Sequence, residues 1–460
     1  MNTGPQQDAT GIAAPSGAVG QFNVTGKTLL IPEMAPAASR LLAAAFQAFG
    51  VPATVMPTYT HLNLGKQHTS GKECFPCQVT LGDILGFLQS EQQRLGPAFD
   101  VRQYVYFMPE ADGPCRFGMY TKLHRLVLDR FPAFRELPIL YLSTADGYAA
   151  SGLMPAAAAG RFRRLAYVSV IIGDVLDRIL WRVRPYAREP AQADAWLERA
   201  VAQLAEAVSA NGARLAYGAL LHRLAALSAD AATLIDPAAA PKPRIGIVGE
   251  IYLRSHPASN QQLIREIERF GGEVLNASMG EWVNFISFRQ QRAAARDFAT
   301  ARRQGRPRAM TAAARRWLAG HLEFAWQRLR QAQVYRAVRP HVAIASDHAI
   351  AEIEHLVERN RNFCFEIGTE AALSIGGALA YAHAGFDGVV NVYPFTCMPS
   401  TIASAVLKPL LPELNIPYLD ATYDGTQQPN REVALRTFMY QAAGRKASAQ
   451  AQGTAPWPNT

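Results

Sequence analysis

Short apolar runs separated by amphipathic stretches dominate the first third of the chain. Residues 27–32 (KTLLIP) and 51–56 are compact apolar runs, and they predict two buried strands. Residues 35–49 lie between them and have the spacing of an amphipathic helix. This strand–helix–strand order predicts a parallel sheet, to which residues 101–108 and 138–143 add two further strands.

The same alternation returns in the second half of the chain. A helix is predicted over residues 260–270, and a long helical region over 288–339 is interrupted at residues 305–307 (GRP). Five further strands are predicted at residues 244–250, 273–276, 341–346, 388–393 and 416–419. The order of elements therefore predicts a second α/β unit.

Between the two units the composition changes, and residues 156–234, rich in Ala, Leu and Arg, predict several helices. We predict an α/β protein with two Rossmann-like, open parallel-sheet domains and a largely helical insert. The predicted parts are a disordered tail (1–25), a first α/β domain (26–150), a helical region and linker (151–243), a second α/β domain (244–445) with an Arg-rich helical insert (288–340), and a second disordered tail (446–460).

The net charge of +9 is concentrated in one segment. Residues 289–339 hold thirteen arginines and two acidic residues, so the remainder of the chain is slightly acidic. A nucleic-acid partner is therefore not expected. No apolar run reaches the roughly 18–20 residues that cross a bilayer, and the N-terminus lacks the pattern of a secretory signal. These features predict a cytoplasmic protein without a membrane partner.

The segment with the densest candidate chemistry is GKECFPCQVTLG at residues 71–82. Cys74 and Cys77 lie three residues apart, a spacing that lets two sulfurs face one metal. By itself this motif also fits a redox dithiol, a zinc half-site or two buried small side chains.

Two more cysteine segments follow predicted strands directly, where open α/β sheets bind their ligands. The first is GPCRFGMY at residues 113–120, in which Arg116 stands beside Cys115 and could offset the charge of an anionic cluster. The second is YPFTCMPST at residues 393–401, in which Cys397 precedes a predicted helix. Ligation by cysteines of separate loops is typical of an iron–sulfur cluster, whereas no Cys/His spacing completes a structural zinc site. Cys364, within NFCFEIG, is predicted to belong to the core.

Together these segments resemble the 2-hydroxyacyl-CoA dehydratase component family, and in particular its large CoA-substrate-specific enzyme activases. The resemblance is carried by residues 70–85, 108–120, 245–274, 389–410 and 416–431. It implies tandem α/β domains that hold a [4Fe-4S] cluster on cysteines of different loops, here Cys74, Cys115, Cys397 and, as a fourth, Cys77. The wider system transfers single electrons, driven by ATP, to enzymes that act on acyl-CoA thioesters.

The chain has no counterpart of the ATPase portion of the large activases. The resemblance therefore implies a separate activator ATPase or dehydratase subunit in trans, and an acyl-CoA as substrate. A site closed by four thiolates suits electron transfer, whereas three thiolates leave one iron open as a Lewis acid. Electron carrier and dehydratase-like lyase thus both stay open. Two alternatives remain beside them: a scaffold that binds through the Arg-rich segment, and a thiol–disulfide oxidoreductase that uses Cys74 and Cys77.

Overall fold

A computed structural model describes residues 19–451, except for 112, 151 and 360–362. Two sheets are formed by the strands β1 (Val19–Gly20), β2 (Thr28–Ile31), β3 (Ala53–Val55), β4 (Tyr104–Phe107), β5 (Ile139–Leu140), β6 (Arg244–Gly249), β7 (Glu273–Asn276), β8 (Gly388–Pro394) and β9 (Tyr418–Tyr423). All strand pairs of these sheets are parallel. The structure confirms a mixed α/β protein.

The first half of the chain and the insert contribute one group of helices. They are α1 (Pro36–Gln47), α2 (Leu62–Gln67), α3 (Phe75–Leu95), α4 (Tyr120–Leu128), α5 (Ala156–Val183), α6 (Pro190–Asn211) and α7 (Tyr217–Ala232). The second half contributes α8 (Ile251–Ser255), α9 (Leu263–Arg269), α10 (Met279–Arg303), α11 (Pro307–Val338), α12 (Ile350–Glu358), α13 (Glu370–His383), α14 (Met398–Glu413) and α15 (Arg431–Ala451). Helices α10 and α11 form a hairpin, and the break between them falls at the predicted GRP sequence.

The two sheets share one strand order. The second sheet runs β7-β6-β8-β9, and the first runs β3-β2-β4-β5 with β1 added beside β5. In both, the first strand of the unit lies between its second and third strands, so the chain reverses direction across the sheet there. Ligands of open α/β sheets bind at the carboxyl ends of strands where this reversal occurs. The ends of β2, β4, β6 and β8 are therefore the expected edges for a site.

Helix α5 packs against α1 and against the other helices of the insert, α6 and α7. Its buried side chains include Phe162, Val168, Ile172 and Leu176, which share one core with α1, α6 and α7. The spacing of these residues places them along one stripe of a helix, which explains why this segment is helical. Because α5 also contacts α10 and α11, it links the first sheet to the Arg-rich hairpin.

Residues 341–346 do not form the predicted strand. Val342 and Ile344 are buried, as a strand pattern requires, but they pack into the core of α5 and its neighbours. The carbonyl of Ala345 accepts a hydrogen bond from Arg178 rather than from a strand. The alternation of buried positions in residues 341–346 therefore reflects packing against helices and not a strand.

Regular secondary structure extends into both segments that the sequence predicts as disordered tails. Val19–Gly20 forms strand β1, paired with β5, and Val24 is fully buried. At the other end α15 continues to Ala451, six residues past the predicted boundary. The remainder of both predicted tails lies outside the described residues. No helix of the described residues is both long and apolar enough to cross a membrane.

His256 gives the fold an expected dependence on pH. Its ring is buried, and its Nδ1 lies 2.6 Å from the Ser259 hydroxyl and accepts from the Ser259 N–H. Burial lowers the pKa of His256 to about 3, whereas an unfolded chain has a His pKa of about 6.5. The unfolded state therefore binds the proton first, and stability falls as the pH drops below 6.5.

At pH 5 this histidine should cost about 2 kcal/mol of the free energy of unfolding relative to pH 7.5. Urea unfolding at both pH values, for the native chain and for His256→Asn, measures this contribution. The asparagine carbonyl can replace Nδ1 as acceptor but does not titrate. An equal loss of stability in the two proteins would contradict the assignment.

Candidate functional site

Three cysteine-bearing loops meet at one cavity. Cys115 lies on the loop after β4 and Cys397 on the loop after β8, both at the expected strand ends, while Cys74 follows α2 and precedes α3. All three line a cavity of about 780 Å³. The structure therefore brings together three of the four predicted ligands, although Cys74 and Cys397 are separated by more than 300 residues.

Each of these cysteines stands immediately before a helical segment. Cys74 precedes α3 and Cys397 precedes α14, whereas Cys115 precedes a single 3-10 turn (Arg116–Met119) that leads into α4. The unpaired N–H groups and the dipole at a helix start favour negative charge. This placement suits thiolates or an anionic group attached to them.

The pKa values of these thiols are raised. Burial, followed by the negative charge of Glu250, raises the pKa of Cys74 to about 12. Burial, followed by the negative charge of Glu370, raises the pKa of Cys115 to about 12 and that of Cys397 well above its usual range. The charge of Cys74 contributes to both of these latter shifts, which reflects how near the three sulfurs lie. The thiols are thus neutral unless a cation binds.

Cys74 has a backbone conformation that is rare for any residue but glycine. Its φ is 95° and its ψ 144°, in a region where a side chain costs of order 1–3 kcal/mol. Such strain persists where the surrounding structure fixes it, and it is frequent at functional sites. The conformation turns the chain into α3 while the thiol remains at the cavity.

Arg116 joins the three cysteine loops. Its guanidinium donates to the carbonyl of Lys72, two residues before Cys74, and to the carbonyl of Thr396, the residue before Cys397. A further contact of 3.3 Å reaches the Thr396 hydroxyl. The sequence predicts that Arg116 could offset the charge of a cluster; in the structure it makes these three contacts, and its side chain also lines the cavity. Arg116 therefore links the loop of Cys115 to the loops of Cys74 and Cys397.

Cys77 does not line the cavity. It is fully buried in the core beneath α3, and its Sγ lies 3.5 Å from Nε2 of His124. Burial raises the pKa of Cys77 well above its usual range. Cys74 belongs to the same core cluster, and its charge contributes to the raised pKa of Cys77, but only Cys74 also lines the cavity.

The prediction for Cys364 is wrong. Its side chain is exposed, and the next residue, Phe365, occupies the core instead. Cys364 immediately precedes a 3-10 turn, Phe365–Ile367. The apolar residues around Cys364 predict its burial, whereas the structure buries its neighbour Phe365 instead.

Three carboxyl groups line the same cavity; Glu323 pairs with Arg163, whereas Glu250 and Glu370 lie near the thiols. Glu250 follows Gly249, whose φ of 118° is one that glycine adopts readily, and its carboxylate accepts from the N–H groups of Tyr252 and Leu253 at 3.0 and 2.9 Å. Glu370 is the first residue of α13, which Thr369 caps. Burial, followed by the negative charge of Glu250, raises the pKa of Glu370 to about 8. Glu370 therefore holds a proton more tightly than an ordinary carboxyl group does, in the cavity that the thiols line.

Among the acidic residues at strand and loop ends, Glu250 directly follows β6 and lines the cavity. Three others do not: Glu73 binds Ser70, Asp420 lies among Asn391, Ser404 and Tyr418, and Asp424 binds Thr426. Glu370 was missed. Its signal was the Thr-Glu pair after a glycine, which is typical of a helix start.

A metal ion requires several donor side chains arranged around one point. No group of three or more His, Cys, Asp and Glu side chains within the described ranges is arranged to hold a metal ion. A single ion such as Zn²⁺ needs all its ligands about 2.0–2.3 Å from one point. A four-iron cluster attaches each thiolate to a different iron, so its ligands lie farther apart. Three thiols on separate loops, of which those of Cys74 and Cys397 are buried, fit a cluster better than one ion.

No protein-family model matches the chain, and no curated protein matches it.

Proposed function

We propose that this chain is an iron–sulfur protein of the 2-hydroxyacyl-CoA dehydratase type. Cys74, Cys115 and Cys397 would hold a [4Fe-4S] cluster in the cavity between the two sheets. The observation that carries the proposal is the meeting of three cysteine loops at one cavity, with Arg116 bonded to the chain beside the other two cysteines.

Three ligands favour the dehydratase-like role over the electron carrier. Cys77 lies in the core with His124, so a cluster on the other three cysteines would keep one iron without a protein thiolate. When bound, such a group supplies a Lewis acid that can take a substrate oxygen. Glu370 bears a proton in the same cavity, and we propose that it hydrogen-bonds to the oxygen of the substrate.

The shared strand order supports the finer part of the proposal, that both sheets belong to Rossmann-like domains. We further propose a cytoplasmic protein that works with a separate activator ATPase in trans and acts on an acyl-CoA. The partner would dock on the hairpin of α10 and α11. Exposed Leu318, Leu322 and Leu329 lie along one face of α11, and exposed arginines flank them, which favours a partner with acidic groups beside an apolar face.

The oxidoreductase alternative is less well supported. A dithiol enzyme needs an attacking thiol of low pKa, whereas burial raises the pKa of both Cys74 and Cys77. Both side chains are buried in one core cluster, which also limits the access of a disulfide substrate to Cys77.

Iron and sulfide analysis tests the proposal. The protein purified without oxygen should be brown and contain about four iron and four sulfide ions per chain. Reduction with dithionite should produce an electron paramagnetic resonance signal. The same analysis on Cys364→Ala, which removes an exposed thiol outside the cavity, serves as the control and should give equal iron. Anaerobically purified protein without iron would overturn the proposal.

A further inference from the structure

A cleft opens at the edge of the second sheet that lies opposite the cysteine loops. It has a volume of about 2480 Å³, and its lining includes the first residues of three strands, which are Arg244 of β6, Glu273 of β7 and Tyr418 of β9. The strands of this sheet are parallel, so their carboxyl ends, which Glu250 and Cys397 follow, lie at the other edge. No residue lines both this cleft and the cysteine cavity within the described part of the chain. The cleft is therefore a second place where a ligand can bind.

One end of this cleft is basic. Its side chains come from the end of α5, from the chain that leads into β6 and from the second half of α15, and we name them the cationic cluster: Arg182, Lys242, Arg244, Arg445 and Lys446. Lys446 donates to the carbonyl of Lys242 at 2.9 Å. Arg445 lies 3.5 Å from the Asp387 carboxylate, which also accepts from the N–H of Arg244. We propose that the cationic cluster binds the phosphate groups of a small phosphorylated molecule.

The positive charge of the cationic cluster exceeds the negative charge beside it. Two carboxylates contact the cluster: Asp387 pairs with Arg445, and Glu273 pairs with Arg182 at 3.3 Å. The other three members of the cluster have no carboxylate partner among the residues that the structure describes. Like charges held in one cleft repel each other, and a phosphate group bound among them replaces that repulsion by attraction.

Aromatic rings hold three of the cationic side chains in place. Arg182 and Lys242 lie over the ring of Tyr186, at 4.8 and 5.9 Å from its centre. Arg244 lies 4.7 Å from the centre of the Phe386 ring. All five members of the cluster are half-buried. Water and salt therefore screen their charges less than on an open surface, and long side chains that are already held in place lose less freedom when an anion binds.

The rest of the cleft limits the size of the anion. Outside the cationic cluster its charged side chains nearly balance, with three basic and four acidic residues: Arg178, Arg339, Lys408, Asp236, Asp347, Glu352 and Asp420. A long polyanion such as a nucleic acid would meet these carboxylates as soon as it extended beyond the cluster. The ligand is thus a compact molecule whose one or two phosphate groups carry its negative charge.

Calorimetric titration with inorganic pyrophosphate tests the inference. The anaerobically purified chain should bind pyrophosphate saturably. Lys446→Gln should bind it roughly tenfold more weakly, the effect of one charge-assisted hydrogen bond, because glutamine keeps a donor for the carbonyl of Lys242 but not the charge. The double variant Lys242→Gln with Lys446→Gln should bind it roughly a hundredfold more weakly. Adenosine diphosphate is the second probe: tighter binding than pyrophosphate would support a nucleotide as the ligand, and equal binding a diphosphate of another kind.

Lys27→Gln is the matched control, since Lys27 also donates to a backbone carbonyl, that of Arg102, but lies outside the cleft. It should bind pyrophosphate as the native chain does, and all variants should keep the native unfolding midpoint. No saturable binding by the native chain, or equal binding by Lys446→Gln and the native chain, would overturn the inference. So would a single-stranded oligothymidylate that binds more tightly than pyrophosphate and is weakened by Lys446→Gln, because the cluster would then serve nucleic acid.

This inference goes beyond the proposed function, because the cleft holds none of the cysteines and binding there needs no iron. A chain that lacks iron when purified without oxygen, yet binds pyrophosphate as described, would overturn the proposed iron–sulfur cluster and support this inference. A chain that contains iron but does not bind pyrophosphate would do the reverse.

Discussion

A Cys115→Ala variant is expected to lose at least nine-tenths of its iron, whereas Cys77→Ala keeps nearly all of it. Cys115 lines the cavity with Cys74 and Cys397, and its loss would leave two thiols for a cluster that needs three. Cys77 instead lies in the core against His124. Iron and sulfide per chain, measured on anaerobically purified protein, give the two values.

The iron contents of these two variants distinguish between three possible sets of cluster ligands. Iron retained in Cys115→Ala would contradict the proposed ligand set. Iron lost in Cys77→Ala as well, from a variant of unchanged unfolding midpoint, would show a fourth thiolate ligand and so favour the electron carrier. The unfolding midpoint is needed because Cys77 is fully buried, and its truncation removes core contacts.

An Arg178→Met variant is expected to lower the free energy of unfolding by about 3–5 kcal/mol. Arg178 on α5 forms an ion pair with Asp347, and both side chains are almost fully buried, at 2% and 4% exposed. It also donates to the carbonyl of Ala345 at 2.6 Å. The substitution leaves a buried carboxylate without its cation. Urea unfolding at pH 7.5 measures the loss.

The double variant Arg178→Met with Asp347→Leu should recover most of that stability, because the uncompensated charge is then removed as well. Arg316→Met provides the surface control: Arg316 pairs with Asp297 where both side chains are more than half exposed, and no measurable change is expected. A double variant as unstable as Arg178→Met would show that lost packing, not the buried charge, dominates.

The main elements of the fold could be predicted from short apolar runs. Residues 244–250 and 388–393 were predicted as strands, and they are β6 and β8 within a residue or two. Residues 341–346 were not predicted correctly, because Val342 and Ile344 show the same alternation when they pack against helices. A local apolar pattern predicts which positions are buried, but it does not show whether they pair in a sheet or pack against helices.

For the site, the sequence predicts which residues carry the chemistry, but not where their side chains lie or what they contact. Cys74 and Cys77 stand in one motif and share one buried cluster, yet only Cys74 also lines the cavity. Arg116 was noted for its charge, while its bonds to Lys72 and Thr396 depend on loops distant in sequence. Such contacts follow from the packing of two sheets, which no local spacing encodes.

The order of the cysteines along the chain affects when the site can exist during synthesis. Cys397 leaves the ribosome more than 300 residues after Cys74, which takes roughly 15 to 60 seconds at about 5–20 residues per second. Over that interval the thiols of Cys74 and Cys115 are present without the loop that completes the cavity. Metal delivery that begins on the nascent chain would meet an incomplete ligand set. Loading of any cluster is therefore expected after the second sheet has formed.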